Sequence, residues 1–202
     1  MAIPLSPIIL CPLPKADQLQ VIEKAFADIM NALGLDLTDD SLQNTPKRVA
    51  KMYVEEIFTG LDPYTFPKIT VQDNKFGYNQ MLIESNISIH SVCEHHFVPI
   101  IGMAHIAYIP GQKVIGLSKL NRIAHHYARR PQVQERLTEQ IKACLTEVLD
   151  TIDVAVTVDA IHYCVKMRGV KDSNCVTRTT ALGGKFLDNI VRAEYLNAIP
   201  KM

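Results

Sequence analysis

The sequence predicts an α+β fold: a helical N-terminal region, then a four-stranded antiparallel sheet with helices on one face. Three observations support this class. Apolar residues recur at helical spacing before about residue 65, they alternate with period two in later segments, and these segments form two adjacent pairs with two helices between them. The order β-β-α-α-β-β favours antiparallel hairpins over crossover connections. The 202 residues are 48% hydrophobic and 21% charged, which is typical of a globular chain and excludes a disordered one.

The N-terminal part is predicted to contain an arm and two helices. Residues 1–14 contain four prolines and no charge, which indicates an extended arm. Apolar residues at helical spacing then predict a first helix: Leu19, Ile22, Phe26, Ile29, Met30 and Leu33. Thr45 and Pro46 are a suitable N-cap and first-turn pair for a second helix. We therefore expect an arm over 1–14, a helical region over 15–65 and an α+β domain over 66–202.

The α+β region shows a succession of strand and helix patterns. Apolar residues of one parity predict a half-buried strand: Met81, Ile83, Ile87 and Ile89. Residues 97–109 are apolar on both parities, so this second strand is expected to be covered on both faces or buried in an interface. Helices are expected to start near Ser118, a natural N-cap, and at Pro131. Strands over 154–167 and 174–182 follow, and a short helix is expected to close the chain.

Charge and cysteine content limit the function classes. Lys+Arg and Asp+Glu are both 21, so the chain lacks the basic excess of a general nucleic-acid binder. No apolar run is long enough to span a bilayer, and the apolar N-terminus lacks the basic residues of a secretory signal. The five cysteines are scattered along the chain and odd in number, which indicates free thiols in a reducing compartment. We interpret Cys11, Cys144 and Cys175 as ordinary packing residues. We expect a cytoplasmic protein without nucleic-acid or membrane partners.

Two short motifs contain the residue types of a metal site. Cys93 and His96 have C-x-x-H spacing, which lets one turn offer sulfur and nitrogen to one ion. His162 and Cys164 have the same parity in a predicted strand, so their side chains are expected on the same face. Cys93, His96 and Cys164 would form a sulfur-rich zinc site. A closed Cys2His2 site that includes His162 would be structural, whereas three ligands would leave an open catalytic position. The additional histidines, His95 and His162, favour the second alternative because an imidazole can act as acid or base.

Several basic residues indicate an anionic ligand. Ser118, Lys119 and Arg122 lie at the start of a predicted helix, where backbone amides and fixed positive charge suit a phosphate. Further basic candidates are Arg48, Lys51 and Arg168. The alternative interpretation is that each is an ordinary solvated surface charge.

Gln134 and Glu135 fall in the first turn of the helix after Pro131. One interpretation is the favourable placement of an acidic residue at a helix N-terminus. The other is a carboxylate that accepts two N–H bonds from a planar base such as guanine, and that rejects analogues lacking those donors.

Four segments together resemble GTP cyclohydrolase I of the zinc-dependent type. They are 93–97 (CEHHF), 114–119 (VIGLSK), 130–137 (RPQVQERL) and 162–164 (HYC). The segments 45–48 (TPKR) and 50–53 (AKMY) are similar to that family's helical region. The resemblance runs from about Leu19 to the C-terminus, and it assigns no role to Cys175 or Arg178.

This resemblance implies the tunnelling fold, in which subunits join their sheets into a barrel. It also implies a homodecamer of two face-to-face pentamers, with each active site at a subunit interface. The implied reaction converts GTP and water to 7,8-dihydroneopterin triphosphate and formate, the first step toward folate and other pterins. Two alternatives remain: another enzyme of this fold, such as a queuosine-pathway nitrile reductase or a pyruvoyl-pterin synthase, and a non-enzymatic zinc-stapled assembly module.

The resemblance further implies a role for each candidate residue. The zinc ligands would be Cys93, His96 and Cys164. The water of the metal would attack C8 of guanine. His162 would protonate the imidazole ring nitrogen, and His95, with Ser118 nearby, would assist proton transfer at the ribose. Glu135, helped by Gln134, would anchor the guanine edge. The triphosphate ligands would be Lys119, Arg122, Arg168 and, from a neighbouring subunit, Arg48 and Lys51.

Overall fold

The structure is a computed structural model that describes residues 6–8 and 13–200. Most of the expected N-terminal arm, with Cys11, lies outside the described residues. The helices are α1 (Lys15–Ala32), α2 (Thr45–Met52), α3 (Leu117–Ala128), α4 (Gln134–Leu149), α5 (Tyr163–Lys166) and α6 (Asn189–Ala198). The strands are β1 (Val71–Asp73), β2 (Leu82–Cys93), β3 (Pro99–Tyr108), β4 (Lys113–Ile115), β5 (Pro131–Gln132), β6 (Val154–His162) and β7 (Thr177–Leu182). In this part of the chain no helix is long and apolar enough to cross a membrane.

In the N-terminal region α1 packs against α2. The Thr45-Pro46 pair opens α2 as expected, although Asn44 before it forms no side-chain cap. One π-helical turn (Tyr53–Ile57) and two 3-10 turns continue the chain from α2 to Thr65. The division of the chain at residues 14 and 65 stays a prediction.

The main sheet has five strands in the order β5-β2-β3-β6-β7. All neighbours are antiparallel except β5 and β2, and β1 pairs with β4 in a separate two-stranded sheet. The α+β class is therefore confirmed. The predicted count of four strands is corrected to five, because Pro131 and Gln132 pair in parallel with Val92 and Cys93. This pairing also moves the start of the next helix from Pro131 to Gln134.

Both faces of the sheet are covered, each by different helices. On one face α3 and α4 pack on a core that includes Ile106 and Val156. On the other face α6 packs on Ala107 and Ala155, and Tyr195 of α6 is completely buried. The predicted placement of the helices on one face is thus wrong for α6. Coverage of both faces of β3 is observed only toward its C-terminal end, where His105 and Ala107 are buried, whereas Met103 on the same face is 39% exposed.

A buried ionic cluster lies on the α6 side of the sheet. Asp159 is 1% exposed, and Arg178 donates to both of its carboxylate oxygens at 2.6 Å. His105 Nε2 lies 3.6 Å from the same carboxylate, and Arg178 also donates to the carbonyl of Pro200 at 3.1 Å. Burial lowers the pKa of His105, and the charge of Asp159 opposes this. Arg178, to which the resemblance gives no role, therefore neutralises a buried carboxylate and holds the chain after α6.

A β-bulge in β2 reverses which alternate residues face which core. Between Glu84 and Ile87, three steps along β2 correspond to two along β3, and Asn86 adopts a φ of 61°. After the bulge, Ile87 belongs to the core under α3 and α4. Before it, Met81 and Ile83 pack against the core under α6. The prediction that these residues share one face is therefore wrong, because the extra residue reverses the parity.

The close contact between β3 and β6 depends on glycine at position 102. Gly102 pairs with Ala160 across the two strands. A Cβ atom on Gly102 would lie 1.9 Å from the carbonyl oxygen of Asp159 and 2.6 Å from Cα of Ala160. These are backbone atoms in the middle of a sheet, and they cannot move away without breaking ladder hydrogen bonds.

Gly102→Ala is expected to lower the free energy of unfolding by about 1–3 kcal/mol, because the added methyl group overpacks two paired strands. Gly111→Ala is the matched control, since no atom lies within 4 Å of a Cβ at that position. Urea denaturation followed by circular dichroism measures both variants. Equal stability of Gly102→Ala and the wild type would contradict the close contact.

Candidate active site and metal centre

A tight turn between β2 and β3 presents the CEHHF motif. Cys93 is the last residue of β2, and its N–H donates to the carbonyl of Val98 at 2.9 Å. The N–H of Phe97 donates to the carbonyl of Cys93 at 2.8 Å, and Phe97 has a φ of 53°, in the left-handed region. Its ring meets that of Phe58 edge-on, with 5.5 Å between centroids. These contacts fix the backbone of the turn.

Cys164 reaches the site from a helix rather than from a strand. β6 ends at His162, and Tyr163 begins the short helix α5. The prediction that His162 and Cys164 share one strand face is wrong, because the chain becomes helical between them. The register places His162 opposite Ile100, which lies at the start of β3 just after the CEHHF turn. The end of β6 is therefore adjacent to this turn.

The predicted metal ligands come together in the fold. One ligand atom from each of Cys93, His96 and Cys164 lies within 4.8 Å of the others. Two sulfurs and an imidazole nitrogen suit zinc, which favours sulfur-rich tetrahedral sites. Burial and the neighbouring Cys93 thiol raise the pKa of Cys164, and a bound cation would favour the thiolate. Among the described residues His162 is not a member of this group, which favours the three-ligand alternative over the closed Cys2His2 site.

The imidazole of His162 is bonded to Gln134. Nε2 of His162 lies 2.7 Å from Oε1 of Gln134. Gln134 is 1% exposed, and its amide nitrogen donates to the carbonyls of Val158 and Thr177 at 2.8 and 2.9 Å. Burial lowers the pKa of His162, and the negative charge of Glu135 opposes this. The amide of Gln134 is thus held by its own chain, whereas Glu135 is exposed.

The burial of Gln134 has a signal in the sequence. Gln134 precedes Leu137 by three residues and Ile141 by seven, so it continues the apolar stripe of α4. Glu135 is the next residue and points away from that stripe. Treating both residues as substrate ligands misses this difference.

Sequence reasoning also misses a polar network behind the turn. Arg136 donates to the carboxylate of Glu94 and, at 3.1 Å, to Oε1 of Gln132. Gln132 is completely buried and donates to Gln140 at 2.7 Å. The other carboxylate oxygen of Glu94 lies 3.7 Å from Nε2 of His95. Nothing in the sequence links Glu94 to Arg136, which follows it by 42 residues.

Arg168, one of the predicted anion ligands, contacts the predicted metal ligand His96. Its Nη1 lies 2.7 Å from Nε2 of His96, and the arginine is exposed. The other basic candidates lie on two helices: Arg48 and Lys51 on α2, and Lys119 and Arg122 on α3. Within residues 13–200 their side chains form no hydrogen bond or ion pair with the metal-ligand group.

The start of α3 differs from the predicted one. The helix begins at Leu117 with Gly116 as its N-cap, so the N-cap role predicted for Ser118 is wrong. Ser118 is exposed in the first helical turn. One turn further on, Arg122 lines a surface cavity of about 340 Å³ together with His125 and Arg129.

Comparisons with known proteins cover nearly the whole chain. The family model described as GTP cyclohydrolase I matches residues 22–200. A Shewanella amazonensis protein named GTP cyclohydrolase 1 is 54% identical over 193 residues, which are 95% of this chain and 89% of that protein. The Vibrio cholerae protein of the same name is 54% identical over 197 residues, 97% of this chain and 89% of its own. Among solved structures, the apo form of the archaeosine synthase QueF-Like has a TM-score of 0.44 and 16% identity, covering 52% of this chain and 93% of that chain, a similarity too slight to bear on the fold.

Proposed function

The chain belongs to the GTP cyclohydrolase I family and is an enzyme of pterin and folate biosynthesis, and from this premise we propose a zinc-dependent mechanism for it. In this mechanism Cys93, His96 and Cys164 hold the metal, and His162 and His95 exchange protons with the substrate. One observation carries the proposal: two thiol sulfurs and an imidazole nitrogen lie within 4.8 Å of one another, and the imidazole of His162 is not among them. When bound there, zinc supplies Lewis acidity that makes water a nucleophile near neutral pH.

The proposed reaction is hydrolytic opening of the imidazole ring of GTP at C8. The products are formate and, after the ribose rearranges and a new ring closes, 7,8-dihydroneopterin triphosphate. His162 gives a proton to the guanine ring nitrogen as the ring opens. Because Nε2 of His162 is bonded to Gln134, Nδ1 is the nitrogen that we assign to this transfer. His95 is exposed on the turn and, with Ser118, assists proton transfer at the ribose.

The substrate is held at both ends. The exposed carboxylate of Glu135 accepts N–H bonds from the guanine edge. The amide of Gln134 is already bonded within the chain, so its contribution to base binding is indirect. The triphosphate is held by Lys119, Arg122, Arg168, Arg48 and Lys51. Since the triphosphate takes no part in bond breaking, its binding energy serves to position the base.

We propose that a second subunit completes the site, in a homodecamer of two pentamers with the tunnelling fold. Arg48 and Lys51 lie on α2 and form no bond with the ligand group of their own chain within the described ranges. In the part of the chain that the structure describes, β7 has a free outer edge, and β2 is paired on its outer side only at the two residues of β5. Free edges of this kind support the joining of sheets between subunits.

We also propose a cytoplasmic location for the enzyme. The cysteines within the described residues are free thiols: Cys93, Cys144, Cys164 and Cys175. A reducing compartment keeps such thiols available as metal ligands.

Replacement of Cys164 is expected to remove the metal. We expect about one zinc per chain in the wild type, and Cys164→Ser should lose nearly all of it together with formate release from GTP, because a serine oxygen is a poorer zinc ligand than a thiolate. Cys175→Ser is the control, since this exposed thiol lies outside the ligand group. Metal analysis and a formate assay measure both variants. Full zinc content and normal turnover in Cys164→Ser would refute the ligand set.

Removal of single phosphate ligands is expected to weaken binding rather than chemistry. Lys119→Ala, Arg122→Ala and Arg168→Ala should each raise the dissociation constant for GTP by about ten- to a hundred-fold, because each removes a charge-assisted hydrogen bond. Lys24→Ala, which removes a positive charge from the exposed face of α1, is the control. Equilibrium binding of GTP is the measurement. Wild-type affinity in all three variants would show that the triphosphate lies elsewhere.

His162→Ala is expected to separate chemistry from binding. The variant should keep its zinc and bind GTP within a few-fold of the wild type. Formate release should fall by about 10²- to 10⁴-fold, the usual contribution of a general acid. Loss of zinc in this variant would instead make His162 a metal ligand. Wild-type formate release would reduce the imidazole to a packing role.

A further inference from the structure

We propose that Gln134 is a positioning residue for His162, and that it fixes both the ring orientation and the tautomer with which the imidazole meets the substrate. The inference rests on the proposed function, because it concerns the proton that His162 transfers. It replaces the direct contact with guanine expected for Gln134 by a contact with the catalytic imidazole.

The orientation of the Gln134 amide follows from the groups around it. One end lies 2.8 Å from the carbonyl oxygen of Val158 and 2.9 Å from that of Thr177, with the hydroxyl of Thr179 at 3.2 Å. Carbonyl oxygens only accept, so the NH2 group of the amide must face them. Rotating the amide by half a turn would set oxygen against oxygen at two places. The carbonyl oxygen Oε1 therefore faces His162.

The tautomer of His162 follows from this orientation. Oε1 of Gln134 has no hydrogen to give, so Nε2 of His162 must be the donor across their 2.7 Å contact. Neutral His162 then carries its hydrogen on Nε2 and a lone pair on Nδ1. When the imidazolium protonates guanine, the N–H bond at Nδ1 breaks, an N–H bond forms on the guanine ring nitrogen, and this same neutral tautomer remains. Gln134 thus stabilises the form in which His162 is left after the transfer.

The amide is also rigid enough to serve this purpose. Gln134 is 1% exposed and begins α4, and its donors tie it to β6 and β7. One turn further along α4, the hydroxyl of Thr138 donates to the backbone carbonyl of Gln134 at 2.9 Å and lies 2.6 Å from the hydroxyl of Thr179. A helix and two strands therefore hold the acceptor in place. An acceptor held from three elements restricts the imidazole without touching the substrate.

Gln134→Met in the zinc-loaded oligomer tests this role, because methionine keeps the length of the side chain and lacks the amide. We expect kcat for formate release to fall by about 10- to 100-fold, with KM for GTP within a few-fold of the wild type and zinc retained. Cys144→Ala is the matched control: Cys144 lies on the same helix, is 3% exposed and lies outside the ligand group. It should keep its kcat despite a similar loss in Tm. Equal falls in kcat in both variants, or a wild-type kcat in Gln134→Met, would overturn the proposal.

His162→Ala distinguishes failure of this inference from failure of the proposed function. If Gln134 acts through His162, Gln134→Met should cause no further loss of kcat in the His162→Ala background. An undiminished loss in that background would overturn the positioning role. Normal formate release by His162→Ala would instead refute the proposed function itself. An inactive His162→Ala beside a fully active Gln134→Met would refute the positioning role alone.

Neutron diffraction from deuterium-exchanged wild-type crystals tests the hydrogen positions without any variant. We expect both amide deuterons of Gln134 on the side of Val158 and Thr177, and a deuteron on Nε2 of His162. An amide ND2 group that faces His162 would overturn the proposal.

Discussion

The pairing of β3 with both β2 and β6 is the constraint on which the site depends. Its register aligns Ser91, Ile100 and His162 across three neighbouring strands. Because β2 enters its turn at Cys93 and β6 ends at His162, both strands deliver their chemical groups to the same end of the sheet. A slip of one residue in either pairing would turn these side chains to the opposite face. Cys93 and His162 therefore reach the same end of the sheet because both of their strands pair with β3.

The start of α4 distributes three consecutive residues among three tasks. Successive side chains on a helix point about 100° apart, so neighbours in sequence meet different surroundings. Gln134 enters the core and meets His162, Glu135 stays exposed, and Arg136 reaches back to Glu94 in the turn. This placement depends on the two-residue strand β5, whose parallel pairing with β2 sets the helix beside the CEHHF turn. This two-residue pairing thus places Gln134 and Arg136 beside the proposed site.

Periodicity was sufficient for the α+β class and for the helix opened by Thr45 and Pro46, because both depend on local spacing. The grouping of Cys93, His96 and Cys164 could be predicted as well, since sulfur and imidazole in short motifs are typical of metal sites. Parity arguments failed where the backbone departs from a regular strand, at Asn86 and after His162. The position of α6 and the Arg136 contact depend on pairings between distant segments, which no local pattern encodes.

The regular half of β2 after the bulge makes the orientation of the proposed ligand Cys93 sensitive to the number of residues that precede it. Insertions and deletions are usually tolerated in hairpin ends and loops. In β2, one residue more or fewer between Ile87 and Cys93 would put these two side chains on opposite faces, so that they could no longer both reach the core under α3 and α4. Drift in the length of this strand is therefore expected to be suppressed as strongly as substitution of the thiol itself. The length of the chain near the proposed metal site would thus be constrained by a part of β2 that contributes no side chain to the reaction.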